Sequence, residues 1–171
     1  MALHKQGLDY YSHPLGMTTG IRTSNIRRKY GSTAIDVWLA LLDLIYKDKG
    51  YYISYGEADR NDVIWDIAGR VRGKDAPDEE TIGRIIDELV RDGFFDADLA
   101  YEGILTSEEI QEQFYLSTLK RRRIEIEWQY WLLDLHKMYS LATKSPILKV
   151  VEEYRRSLAA NGRNVDGNMT S

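Results

Sequence analysis

Between Asp78 and Asp96 the chain reads DEETIGRIIDELVRDGFFD, with Ile82, Ile85, Ile86, Leu89 and Val90 at the i, i+3, i+4, i+7, i+8 spacing that lines one face of a helix. Pro77 and Asp78 open this helix, Asp78 as its N-cap. Gly93 closes it in a left-handed cap ahead of two phenylalanines. Upstream, AIDVWLALLDLIYKDK is apolar around nearly its whole circumference from Val37 to Tyr46, which predicts a central core helix, capped by Ser32 or Thr33 and ended by Gly50. YYISY then predicts a short strand, because aromatic and β-branched residues suit a half-buried pleated surface. EADRNDVIWDIAGRVRG places Val63, Ile64, Ile67, Ala68 and Val71 at helical spacing and stops at Gly73. A short helix is predicted in TTGIRTSNIRRKYG, and two strands in GFFD and GILTS around the loop ADLAYEG. The order helix, strand, helix, helix, strand, strand is that of a winged helix-turn-helix, a mainly α (α+β) fold.

Past the hairpin, Thr106 and Glu109 form a capping box at the head of a stretch with no proline before Pro146. Positions 110, 114, 117, 121, 124, 128, 131, 135, 138 and 142 follow a 4,3,4,3 spacing, apolar from Ile124 through Trp128, Trp131 and Leu135 to Met138. An uninterrupted helix here would hold about 37 residues and reach roughly 55 Å at 1.5 Å per residue. The reading is a long C-terminal helical extension that projects and self-associates through those five side chains. The alternative is a helix that breaks and folds back on its own core. ILKVVEEYRRSLAA predicts a last amphipathic helix. The expected organisation is an extended arm at 1–17, a winged-helix domain at 18–106, C-terminal helices at 107–160 and a disordered tail at 161–171.

With 171 residues the chain can build one domain with a real core. It has no cysteine, so disulfides, thiolate metal sites and thiol chemistry are absent. No run approaches the roughly 18 apolar residues of a membrane span, and the expectation is a cytoplasmic protein. The three histidines, His4, His13 and His136, lie far apart with no carboxylate at ligand spacing, so no metal is expected. GRVRGKD at Gly69 to Asp75 is superficially a phosphate loop, but it is one residue short and carries Asp75 where a magnesium-binding hydroxyl belongs. The chemistry expected is that of a binding protein without catalytic residues or cofactors.

Net charge is −4, so a nucleic-acid surface would have to come from local clustering. Asp78 to Gly103 holds nine acidic residues against Arg84 and Arg91. A duplex docked on that helix would meet repulsion and release no counterions, so the helix is expected to face a protein or water. Cations gather elsewhere. Arg22, Arg27, Arg28 and Lys29 lie within eight residues, next to the arm, and Lys120, Arg121, Arg122 and Arg123 form an unbroken run. Both groups are candidate phosphate contacts, with Tyr30 and Tyr115 near them as candidate stacking rings. For the second group the competing reading is a solvated helix face tethered by Arg121 to Glu125 and Arg123 to Glu127 pairs. Tyr10, Tyr11, Tyr51 and Tyr52 read more readily as packing residues.

GLDYY at Gly7, YGSTAIDVWLALLDLIYKDKGYYI at Tyr30, IIDELVRDGFFD at Ile85 and GILTSEEIQEQFYLSTLKRR at Gly103 together resemble the N-terminal winged-helix domain of phage and Gram-positive replication-initiation proteins related to DnaD. The resemblance spans roughly residues 7 to 123. Ala34 stands where the pattern has glycine, and SHPLGMTTG replaces an acidic and aromatic stretch. The resemblance implies a non-enzymatic role in DNA replication initiation, with low-specificity binding of single- or double-stranded DNA, contacts to replication proteins, and homo-oligomerisation. A protein-interaction scaffold without direct DNA binding is the other reading of the same residues.

Overall fold

A computed structural model describes residues 5–144, 150, 152–154 and 156. The chain divides into two units, the first ending at Leu132 and the second beginning at Leu133. The first contains helices α1 (Ile21–Tyr30) and α2 (Ser32–Lys47), strand β1 (Ile53–Ser54), helices α3 (Arg60–Arg70), α4 (Glu79–Arg91) and α5 (Ala97–Tyr101), strand β2 (Ile104–Leu105) and helix α6 (Glu108–Thr118). The two strands pair antiparallel, Ile53 opposite Leu105 and Ser54 opposite Ile104. Among the described residues the protein is mainly helical with one small two-stranded sheet.

Helix α2 buries ten of its sixteen residues and packs against α1, α3 and α4, as an apolar circumference requires. Helix α4 turns Ile82, Ile85, Ile86 and Leu89 into the same core. Its ends follow the sequence closely. The Asp78 carboxylate accepts from the Thr81 N–H at 2.7 Å. At the exit Gly93 takes φ +75°, and the Gly93 and Phe94 N–H groups reach back to the Val90 and Leu89 carbonyls. The neighbouring starts differ from expectation. Gly31, with no side chain to offer, caps α2, and Ser107 rather than Thr106 caps α6 by accepting from the Ile110 N–H. Thr106 is buried and donates instead to the Tyr51 carbonyl at 2.5 Å.

GFFD is not a strand. Trp38 meets the rings of Phe94 and Phe95 edge-on at 5.1 and 5.6 Å, whereas adjacent strand residues would point to opposite faces. One ladder contact survives, from the Asp96 N–H to the Thr106 carbonyl at 2.8 Å. The predicted loop ADLAYEG contains α5, whose start is fixed by the Asp96 carboxylate accepting from the Leu99 N–H.

The largest departure lies after Thr118. The continuous helix through residue 143 does not form, and the fold-back alternative is what the first unit shows. Thr118 bonds back to the Phe114 and Tyr115 carbonyls, and four successive cations would crowd the next turn. From there backbone groups find partners outside any helix. Glu125 N–H donates to the Gln6 side chain, Glu127 N–H to the Tyr51 hydroxyl, and Leu132 N–H to the Gln111 side chain. A single 3-10 turn at Trp128–Tyr130 interrupts this extended path. Ile124 and Trp131 pack on the core, Trp131 at 5.2 Å from the ring of Tyr51, while Trp128 remains exposed. The seam of five apolar side chains therefore does not exist on one helix.

The second unit has α7 (Leu135–Thr143), whose N-cap Asp134 accepts from the Lys137 N–H. Leu135 is exposed and Met138 half-buried. Residues 150, 152–154 and 156 are helical, in line with the predicted last helix; the rest of that helix and the expected tail at 161–171 lie outside the described residues. Among the described residues no helix is long and apolar enough to cross a membrane.

Candidate nucleic-acid interface

The arm is not free. Leu8 is buried and its N–H donates to the Tyr46 carbonyl at 2.7 Å, the open end of α2. Gly7 lies so close to that helix end that a Cβ on it would stand 2.0 Å from the Lys47 carbonyl oxygen. The Arg121 guanidinium also donates to three arm carbonyls, those of Lys5, Gln6 and Gly7, at 3.0, 2.8 and 2.8 Å. The Gln6 amide completes the clasp by donating to the Glu125 carbonyl while accepting from the Glu125 N–H. Residues 5–7 thus run between the end of α2 and the 121–125 segment.

This sandwich decides what the predicted cations can do. Arg121 holds the arm and is not a free phosphate contact. Arg22 is also held inside the fold: its guanidinium reaches both Glu109 oxygens at 2.8 and 2.6 Å and the Gly93 carbonyl at 2.5 Å, and lies over the Phe94 ring. Arg27 donates to the Thr18 carbonyl, Lys29 is paired with the buried Glu88, and Arg123 stands 3.6 Å from Glu125 rather than pairing with Glu127. Arg28, Lys120 and Arg122 are exposed and carry no ion pair or side-chain hydrogen bond among the described residues. The eight cations therefore do not form one patch. Those of α1 are mostly engaged, and those of the second run divide between clasp and solvent.

What the fold adds is Lys47 and Lys49. Both are exposed at the end of α2, whose Lys47 carbonyl borders Gly7, and neither has a partner among the described residues. The two segments that border residues 5–7 thus carry four unpaired cations among the described residues, and the partial negative charge of the α2 C-terminus favours Lys47 and Lys49. Asp48, between the two lysines, is exposed and has no side-chain partner among the described residues, whereas Asp9 and Asp43 are engaged. Hydrogen bonding to Lys5, with a smaller contribution from the charge of Arg121, holds Asp9 below its ordinary pKa. Asp43 accepts from the Tyr11 hydroxyl at 2.9 Å, and burial, with Asp43 adding to it, pushes that phenol well above its ordinary pKa, so it remains a neutral donor. The only local signal for Lys47 and Lys49 was YKDKG at the end of a core helix. That reads as an ordinary helix terminus unless the 119–123 segment is known to arrive beside it.

The acidic charge of α4 is partly neutralised within the fold. Arg60 grips Asp87 with two bonds of 2.7 and 2.8 Å, and Glu88 is buried between Lys29 and Arg91. Glu80 lies 3.5 Å from Arg84. Two rings assigned to packing divide: Tyr11 is sandwiched 4.3 Å from Tyr46 and 4.8 Å from His13, whereas Tyr10 is 82% exposed. Tyr30 is half-buried against the core and Tyr115 is half-buried.

No curated protein and no solved structure matches the chain. A family model described as Lin1244/Lin1753-like, N-terminal, matches residues 10–110, which takes in every helix from α1 to α5, both strands and the start of α6. Since that match covers more than half of the chain, the protein belongs to the Lin1244/Lin1753-like family through its N-terminal domain.

Proposed function

We propose that this is a non-enzymatic nucleic-acid-binding domain of the DnaD-like replication-initiation type, with a winged helix-turn-helix scaffold and a basic collar around the arm. The observation that carries the reading is that the two segments bordering the arm, the end of α2 and the stretch around Arg121, carry Lys47, Lys49, Lys120 and Arg122 exposed and unpaired among the described residues. The scaffold is supported by element order. Helix α2, strand β1, helices α3 and α4 and strand β2 follow a winged-helix sequence, with α5 where a wing would loop. Binding through the collar accounts for the acidity of α4, since the phosphate contacts lie away from it. Self-association belongs to the same reading, with exposed Trp128 as a contact in place of the lost seam.

Reversing all four collar charges to glutamate tests this. Binding to labelled DNA, measured by anisotropy across a salt series, should weaken, and the slope of log K against log salt should flatten by up to about three units, near 0.7 to 0.9 per lost phosphate contact. An unchanged slope would remove the collar from the interface. A wild-type protein with no affinity for DNA would favour the second reading, a protein-interaction scaffold, for which exposed Trp65 on α3 is the supporting feature.

A further inference from the structure

Beside the collar, Tyr10 and Tyr11 of the arm, Asp43 and Lys47 of α2 and Arg70 of α3 line an open cleft of about 440 Å³. Its chemistry is graded. One wall is the Tyr10 ring, which no packing requirement of the core explains at 82% exposure. The lining also includes two cations: Lys47 is unpaired among the described residues, and Arg70 uses only its Nε on Asp66 at 3.0 Å, which leaves both terminal amino groups without a hydrogen bond among the described residues. The floor is Tyr11, immobilised by Tyr46 and Asp43. An exposed ring and two cations lining one open cleft suit one unpaired base stacked on the tyrosine with its phosphate against the lysine and arginine. A base inside a duplex is stacked on its neighbours and cannot offer its face to Tyr10.

Resting on the nucleic-acid reading above, we infer that this cleft holds a single unpaired nucleotide, so that the domain prefers single-stranded over double-stranded nucleic acid. Two carboxylates share the cleft. Asp9 is paired with Lys5, and Asp43 accepts one hydrogen bond from Tyr11 and can accept another from an exocyclic base amine.

The test is anisotropy of a short labelled single strand and of a hairpin-closed duplex of the same sequence, with wild type, Tyr10→Ala and Tyr10→Trp. Wild type should bind the single strand more tightly. Tyr10→Ala should weaken that complex by about 5- to 150-fold, the range of one lost stacking contact, while changing duplex affinity less than about twofold. Tyr10→Trp, which restores a larger ring, should recover the preference. Because Tyr10 is exposed, its replacement leaves the core intact, and a circular dichroism melt verifies that. Equal wild-type affinity for the two forms, or an equal loss on both with Tyr10→Ala, overturns the cleft assignment and leaves the collar standing. Failure of wild type to bind either form overturns both.

Discussion

Replacing Arg121 by methionine isolates the clasp that holds the arm. Methionine keeps much of the length and apolar stem of the side chain and removes the guanidinium that donates to the Lys5, Gln6 and Gly7 carbonyls. A hydrogen bond from a charged donor contributes about 1.5–3 kcal/mol, but here three share one half-exposed group and the freed carbonyls can rehydrate. The combined loss is therefore set at about 2–3 kcal/mol rather than three full bonds. That cost falls mainly on local opening of the arm, because Leu8 is the one residue of 5–8 in the apolar core, beside the ten that α2 buries. The reporter is the Leu8 N–H, bonded to the Tyr46 carbonyl at 2.7 Å. Its hydrogen exchange should accelerate by roughly 30- to 150-fold at one decade per 1.4 kcal/mol, with amides in the middle of α2 changing far less. Arg121→Lys should fall between, since an ammonium cannot fork to three carbonyls in the same way. Leu8 exchange equal to wild type, or acceleration spread evenly over α2, would refute the clasp.

Two further outcomes follow from groups inside the fold. Hydrogen bonding from Lys29, assisted by the charge of Arg91 and against the effect of burial, holds Glu88 below its ordinary pKa of 4.5. Its stabilisation is then complete above the ordinary glutamate range and is lost as pH falls through the folded-state value, so Glu88→Gln should flatten the acid limb of a Tm profile below about pH 4.5; an equally steep limb would show that the ion pair is not what titrates. The buried Gln111 amide donates to the Tyr130 carbonyl and accepts from the Leu132 N–H, both at 2.7 Å, so Gln111→Leu orphans two backbone groups and should cost about 2–3 kcal/mol in urea denaturation. A loss below about 1 kcal/mol would mean that water or another partner replaces the amide.

The elements legible in the sequence are those whose cause is local. The stripe from Ile82 to Val90, the Asp78 cap and the Gly93 exit all act within a few residues of one another, and α4 appears where they put it. The path after Thr118 has remote causes. Its backbone is held by the side chains of Gln6, Tyr51 and Gln111, none of which leaves a mark on KRRRIEIEWQYW itself. The alternation of Ile124, Ile126 and Trp128 was a signal for an extended path, but Ile124 and Trp128 also fall on the heptad spacing of a helix. The same limit applied to the candidate site. Counting cations along the chain found Lys120 and Arg122, but it also collected Arg22 and Arg121, which the fold uses internally, and it passed over Lys47 and Lys49, whose neighbours are supplied by topology.

The clasp joins Gln6 to Arg121 across 115 positions of chain. A polypeptide made from its N-terminus therefore emerges from the ribosome with residues 5–7 unfastened, while α1 to α4 can already collapse around α2. Closure of that strap waits for nearly the whole domain to be translated. The arm that carries Tyr10 is consequently fastened by Arg121 only after α6 has been made.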